Sequence, residues 1–234
     1  MTDTVKQGNI TKEPEMTCPV GEPTCPVIDR VEALTTELES LSELIRTDNL
    51  TGLYNQRYLM ETLALEMERT RRTGHFTGLI MLDLDHFKQV NDTWGHEAGN
   101  LVLINVATIV KNAVRKLDVA CRYGGEEFMV ILPNTGLIQA TYVAERIREA
   151  IETSPVEVEG GVINPTASFG VDIYTEREND SPQTFISRAD EYLYQAKHQG
   201  RNRVCHVPPE AINHEDQITI DEKNALFDMF GGGE

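Results

Sequence analysis

Apolar residues change their spacing several times along this 234-residue chain, and each change marks an element. Val31, Leu34, Leu38, Leu41 and Ile45 recur three and four apart, with the polar run TTELES among them. That is the period of one helical face. It predicts an amphipathic helix of coiled-coil type over residues 27–46. With under three heptads, two uses stay open: packing on its own domain, or a stalk that joins two chains. A second helix is expected over 56–72, after the turn-like DNLTG. FTGLIMLDLD then reads as a strand whose positions 79–82 are all apolar, which suits burial on both faces. Residues 96–116 read as a helix, and 119–123 with 127–132 as the arms of a hairpin around Gly124 and Gly125. A helix over 137–152, a strand within 164–175, a helix over 182–198 and a short strand at 203–207 complete the pattern. Together they outline an α/β domain over residues 47–207.

The flanks have a different texture. Residues 1–26 are polar and punctuated by proline, and are expected to be poorly ordered. Residues 208–234 form an acidic tail in which only NALFDMF has the makings of a short docking helix. The formal charge of −17 argues against a nucleic-acid surface, which needs clustered Lys and Arg. It does not argue against a nucleotide, provided a divalent ion bridges the charges. No apolar run approaches the ~20 residues of a membrane span, and no signal-peptide core is present, so the expectation is a cytoplasmic protein without membrane contact. Cys18, Cys25, Cys121 and Cys205 are too scattered for a disulfide scaffold. Cys18 and Cys25, each followed by proline, are expected to be part of a plain tail; only two chains together would supply four thiolates for zinc.

Chemistry concentrates at two places. In RYGGEEFMVILP the adjacent Glu126 and Glu127 stand at the mouth of an apolar strand, directly after two glycines. Like charges so close repel, and one protonates unless a cation holds both. In LDLDHF, Asp83 and Asp85 end the first strong strand on alternate sides, so only one can face the hairpin. Asp83 is the choice, because Asp85 begins the exit turn. A strand-end aspartate beside such a pair is how nucleotidyl-transfer sites hold two Mg²⁺ ions. The plainer use of Asp83 and Asp85, as turn and cap residues, loses ground because both motifs fall in one small domain.

Four stretches, DNLTGLYNQR, DLDHFKQVNDTWGHEAGN, RYGGEEF and ADEYLYQAKHQGRNRV, span residues 48–204 and resemble the GGDEF-domain diguanylate cyclases in order and spacing. That family condenses two GTP into cyclic di-GMP. The resemblance implies an α/β (α+β) fold similar to the nucleotide cyclases and the polymerase palm: a central, mostly antiparallel sheet flanked by helices, preceded here by the short N-terminal helix. It replaces the doubly wound parallel sheet that strand–helix alternation alone would give. It implies that Asp83, the Leu84 carbonyl, Glu126 and Glu127 hold two Mg²⁺ (or Mn²⁺) ions, and that Glu126 takes the proton of the attacking 3′-hydroxyl. Gly124 and Gly125 would let the backbone approach the nucleotide, where a Cβ would intrude. The backbone amides of residues 85–87, Phe87 among them, with Lys88, Lys197 and Arg201, would neutralise the triphosphate. Asn91 would read the guanine edge and His96 the ribose region. For Lys197 and Arg201 the helix dipole offers a plainer role, and for His96 a helix cap does.

RKLD, residues 115–118, stands at the distance from the hairpin at which the family carries an inhibitory site for its product. Arg115 and Asp118, with Arg146, would bind cyclic di-GMP there, Arg115 presenting a planar fork and Asp118 accepting from guanine. A salt bridge at a helix end is the plainer reading. The resemblance further implies a homodimer, each protomer holding one GTP, and an activating input from a partner, from the first 46 residues or from dimerisation. One position departs from the pattern: NDTWGHEAGN has Asn100 where the family has the aspartate that grips the base. Relaxed guanine selectivity, with some cyclic GMP–AMP made, is weighed against an asparagine that simply accepts one guanine hydrogen bond. Two rivals remain, a catalytically inactive GGDEF module acting as a cyclic di-GMP receptor and a scaffold using only its helix.

Overall fold

The computed structural model describes residues 30–31, 33–35 and 46–208. Leu38, Leu41, Ile45, Cys18, Cys25 and the acidic tail beyond residue 208 lie outside the described residues. The chain divides into two units, residues 1–45 and 46–234. In the first, residues 30–31 and 33–35 are helical, and Thr35 Oγ1 donates to the Val31 carbonyl at 2.8 Å.

The second unit opens with β1 (Tyr54–Asn55), α1 (Gln56–Thr73), β2 (Thr77–Leu84) and α2 (Phe87–Ala113). The hairpin β3 (Val119–Arg122) and β4 (Glu127–Pro133) follows, then α3 (Leu137–Glu152) and the small hairpin β5 (Val156–Val158) and β6 (Gly161–Ile163). It closes with β7 (Ala167–Tyr174), α4 (Pro182–His198) and β8 (Val204–His206). The main sheet has the order β1-β3-β4-β2-β7-β8. Its four inner strands are antiparallel and only the edge pairs, β1 with β3 and β7 with β8, are parallel. This is the mostly antiparallel sheet that the resemblance implied.

β2 lies between β4 and β7, and all eight of its residues are buried, so its apolar run has a partner on every side. Alternation then sorts the core into two layers. Leu79 and Met81 join Leu59, Leu63, Met67, Phe185 and Leu193 beneath α1 and α4. Ile80 and Leu82 join Val102, Val106, Ala144 and Ile147 beneath α2 and α3. α4 presses on β7 at Gly170, where a Cβ would stand 2.1 Å from the Ala189 carbonyl oxygen. Capping fixes the helix ends. Asn55 accepts from Tyr58 N–H at 3.1 Å to open α1, and Ser181 accepts from Thr184 N–H at 3.2 Å ahead of Pro182 to open α4.

Two expectations need correction. The helix expected from residue 96 begins at Phe87 and ends at Ala113, with a break at Gly95 (φ 82°, ψ 166°). The first arm buries Phe87 and packs Val90 and Trp94 partly against the core, a helical spacing too short to read alone. The β5–β6 hairpin was not expected; Trp94 covers it, lying 2.8 Å from where a Cβ on Gly161 would be.

Candidate active site

The ends of β2 and β4 meet in register, Asp83 opposite Glu127, so three carboxylates collect at one mouth of the sheet. The Leu84 N–H donates to the Glu126 carbonyl at 3.3 Å, which ties the strand end to the hairpin. Across the turn, the Tyr123 and Gly124 amides donate to the Glu127 carbonyl at 2.8 and 3.2 Å. The Arg122 guanidinium braces it from the side, donating to the Gly125 carbonyl at 3.2 Å from Nε and 2.7 Å from Nη2. The same guanidinium meets both Asp48 carboxylate oxygens at 3.2 and 3.3 Å, and Asp48 also accepts from Thr51 N–H and Oγ1 at 2.9 and 2.6 Å. Burial pushes the Asp48 carboxyl up, but the Thr51 bonds and Arg122 outweigh it and hold it below its usual range. DNLTG is therefore the seat of the hairpin brace, a role that its turn-like composition did not disclose.

Lys197, in the last turn of α4, reaches Asp83 Oδ2 at 3.0 Å. Asp83 is buried, and that burial raises its carboxyl above the usual range; Lys197 pulls it down, while Asp85 and Asp190 push it up. Glu126 and Glu127 are likewise raised by burial and by Asp83, with Lys197 opposing. Asp190, on α4, also bears on Asp83 and Glu127, a fourth carboxylate that strand-and-hairpin reasoning passed over. Oxygen donors carrying unneutralised charge suit a hard divalent cation. Among the described residues no group of three such side chains is drawn tight enough to cage a metal alone.

Asp85 is turned elsewhere: its carboxylate accepts from Ser168 Oγ at 2.7 Å, Thr166 Oγ1 at 2.8 Å and Asn202 N–H at 3.0 Å. Its amide donates to the Thr166 carbonyl at 2.8 Å. That corrects the expected phosphate cradle, because the Asp85 N–H is already used; only the amides of His86 and Phe87, at the start of α2, remain for it. The glycines also divide their work. A Cβ on Gly124 would stand 2.4 Å from Glu127 Oε2, so Gly124 makes room for that carboxylate, whereas one on Gly125 would meet nothing within 4 Å. Phe87 is buried, so its backbone alone is available, and Lys88 is exposed. A cavity of about 300 Å³ is lined by Leu84, Phe87, Trp94 and Thr166 among others. The break at Gly95 folds Asn91 back until its Oδ1 lies 2.0 Å from where a Cβ on Gly99 would be. Asn91 thus sits beside the turn that bears Asn100; His96 and Asn100 are exposed, as is Arg201.

Arg115 and Asp118 line a separate cavity of about 350 Å³ with Gly52, Tyr54 and Lys111. Asp118 Oδ2 accepts from the Arg115 amide at 2.7 Å. Burial raises the Asp118 carboxyl, and the charges of Arg115 and Arg146 oppose it. Arg146 donates to the Ala113 carbonyl and stands over the Tyr142 ring at 5.8 Å.

Comparison with known proteins agrees with this fold. The family model for the diguanylate cyclase GGDEF domain matches residues 45–203. The response regulator PleD of Caulobacter vibrioides is 44% identical over 173 residues, covering 73% of this chain and 38% of PleD. The chain spans under half the length of the curated relatives it matches here. Among solved structures, the diguanylate cyclase SiaD of Pseudomonas aeruginosa, in complex with its activator SiaC, is 40% identical (TM-score 0.69), covering 77% of this chain and 69% of SiaD. The coiled coil and GGDEF domain of DgcB from Caulobacter crescentus, in complex with c-di-GMP, is 31% identical (TM-score 0.73), covering 77% of this chain and 95% of that one. This chain belongs to the diguanylate cyclase GGDEF-domain family.

Proposed function

We propose that this chain condenses two GTP into cyclic di-GMP and two pyrophosphates. The observation that carries the reading is the register of Asp83 with Glu127, which gathers Asp83, Glu126 and Glu127 beside Lys197. Two Mg²⁺ (or Mn²⁺) ions would supply Lewis acidity at the phosphate and a lowered pKa at the attacking hydroxyl. Asp83, the Leu84 carbonyl, Glu126 and Glu127 would hold them, with phosphate oxygens completing the shell. Glu126 accepts the proton as the 3′-oxygen of one GTP bonds to the α-phosphorus of the other and the bond to pyrophosphate breaks. Lys197, Arg201, Lys88 and the His86 and Phe87 amides neutralise the triphosphate. Asn91 and Asn100 meet the guanine, Gly125 leaves the nucleotide room and His96 meets the ribose. Each GTP must attack the other in line, so the active species is a homodimer. The relative SiaD, solved with its activator SiaC, supports an input from a protein partner. The reaction belongs in the cytoplasm, beside the GTP pool; among the described residues no helix is long and apolar enough to cross a membrane.

The test is to incubate the protein with GTP and Mg²⁺ at concentrations that favour dimers and to separate the products. Cyclic di-GMP and pyrophosphate in a ratio of one to two are expected. A receptor that binds cyclic di-GMP without making it is the second reading, favoured by the cavity at Arg115 and Asp118. In the cyclase that cavity, with Arg146, takes product and slows the enzyme. Arg115→Ala should then keep its initial rate while product inhibition weakens more than tenfold, because a desolvated arginine contact is worth ~2 kcal/mol. Inhibition unchanged in that variant would remove the feedback role.

A further inference from the structure

Beyond the end of α4 the backbone takes a conformation that side chains disfavour. Gly200, Arg201 and Asn202 have φ of 118°, 63° and 45°, and two of these three left-handed residues carry a Cβ. Gly200 alone would serve to stop the helix. Two further left-handed residues need another reason, and such conformations persist only where their surroundings over-determine them.

The surroundings here do so from two sides. From the sheet, Asp85 spends one oxygen on Ser168 Oγ at 2.7 Å and the other on Thr166 Oγ1 at 2.8 Å and the Asn202 N–H at 3.0 Å. From α3, Arg148 donates to Asn202 Oδ1 at 3.1 Å, and Asn202 Nδ2 donates to Glu152 Oε1 at 2.8 Å. The Arg201 amide is also fixed, donating to the Ala196 carbonyl at 3.0 Å. The residue between these anchors is Arg201, which is exposed. We infer that Asp85 and Asn202 form a clasp that positions Arg201 for the phosphates of the nucleotide. The inference rests on the phosphate role proposed for Arg201. It gives Asp85 a task distinct from that of Asp83: it anchors the arginine rather than the metal. It also links α3, which bears Arg146 two residues before Arg148, to the triphosphate end of the site.

The clasp is tested by the affinity of the full chain for a non-hydrolysable GTP analogue with Mg²⁺, each variant being checked by its thermal midpoint. Asn202→Gly keeps the left-handed backbone open but removes both bonds to α3, whereas Asn202→Ala removes the bonds and disfavours the backbone. Asp85→Asn offers the Asn202 amide a weaker acceptor. Arg201→Ala should weaken binding about tenfold or more. Asn202→Ala should approach that loss, and Asn202→Gly should cost several-fold. In the Arg201→Ala background neither Asn202 change should weaken binding further, because a residue acting through Arg201 has nothing left to position. Penalties that add in the double variants overturn the clasp, since they mean a general structural role. A loss in Arg201→Ala with none in Asn202→Ala also overturns it and leaves the phosphate role standing. No loss in Arg201→Ala overturns the phosphate role and the clasp with it. Should Asn202→Ala or Asp85→Asn fail to fold, Asn202→Gly alone and combined with Arg201→Ala decides.

Discussion

Lys197 holds Asp83 at 3.0 Å in a site that is read as binding divalent cations. An ammonium group there does in part what a metal would do in the free protein, opposing the burial that holds the Asp83 carboxyl above its usual range. It also repels an arriving cation at short range. The two roles separate once nucleotide binds, because the phosphates offer Lys197 another partner. Lys197→Gln should therefore bind Mn²⁺ about tenfold more tightly than wild type without nucleotide, and a GTP analogue about tenfold more weakly. Mn²⁺ titration followed by electron paramagnetic resonance measures the first, and an unchanged or lower affinity contradicts the exchange. Asn100 is the second residue whose chemistry sets an outcome. Guanine presents N1–H and N2–H₂, which a carboxylate accepts together, whereas a carboxamide has one acceptor oxygen. One lost charge-assisted contact costs ~1–3 kcal/mol, roughly a ten- to hundredfold loss of preference. A mixed ATP and GTP reaction should then yield some cyclic GMP–AMP beside a majority of cyclic di-GMP, and Asn100→Asp should suppress it. Identical products and similar KM for GTP in both would end the relaxed-selectivity idea.

At the level of elements, the β3–β4 hairpin depends on a brace anchored far away in sequence: Arg122 holds the Gly125 carbonyl from within the hairpin and meets Asp48 outside it. Asp48 has a depressed carboxyl in the folded chain, so its contribution is complete above the ordinary aspartate pKa of 3.8 and is lost as pH falls through the folded value. Asp48→Asn should thus be less stable than wild type at pH 7, by about 1 kcal/mol for a partly buried pair with side-chain bonds. The difference should shrink towards zero as pH falls below that range, as denaturant unfolding at several pH values would measure. A gap that stays constant with pH would mean that the charge of Asp48 is not what the brace uses.

This brace also marks what could be read beforehand. α3 and α4 were legible to the residue, because Ser181 with Pro182 marks a start and the apolar spacing of α3 runs unbroken from Leu137 to Ile151. β2 and the β3–β4 hairpin were legible from an apolar run and a glycine pair. The first arm of α2 was not, since Gly95 interrupts the period and no Ser, Thr or Asp caps it; its cap is His86 at φ 57°. Asp83, Glu126 and Glu127 could be named as neighbours because both acidic motifs mark strand ends in one small domain and the family resemblance joins them. The tasks of Asp48, Asp85, Asp190 and Asn202 depend on which distant side chain each one meets, and no local pattern carries that.

Across the whole molecule, β3 joins the two candidate sites. Asp118 lies just before its first residue and the Gly124–Gly125 turn follows Tyr123 after its last, so the four strand residues and Tyr123, roughly 20 Å of extended chain, separate the Arg115–Asp118 cavity from the carboxylate mouth. Both sites thus share one hairpin, and α3 bears both Arg146, whose charge acts on Asp118, and Arg148, which holds Asn202. The central claim is that the carboxylates at that mouth perform nucleotidyl transfer between two GTP. It is tested most directly by separating the products of GTP incubated with Mg²⁺ or Mn²⁺, for wild type and for Glu126→Gln, while binding of a GTP analogue is measured in parallel. Wild type should form cyclic di-GMP and two pyrophosphates, and Glu126→Gln should bind the analogue yet turn over at least ~100-fold more slowly, the scale of a lost general base. A wild type that binds GTP and metal as a dimer and yields no cyclic di-GMP, or a Glu126→Gln that matches its rate, would contradict the claim.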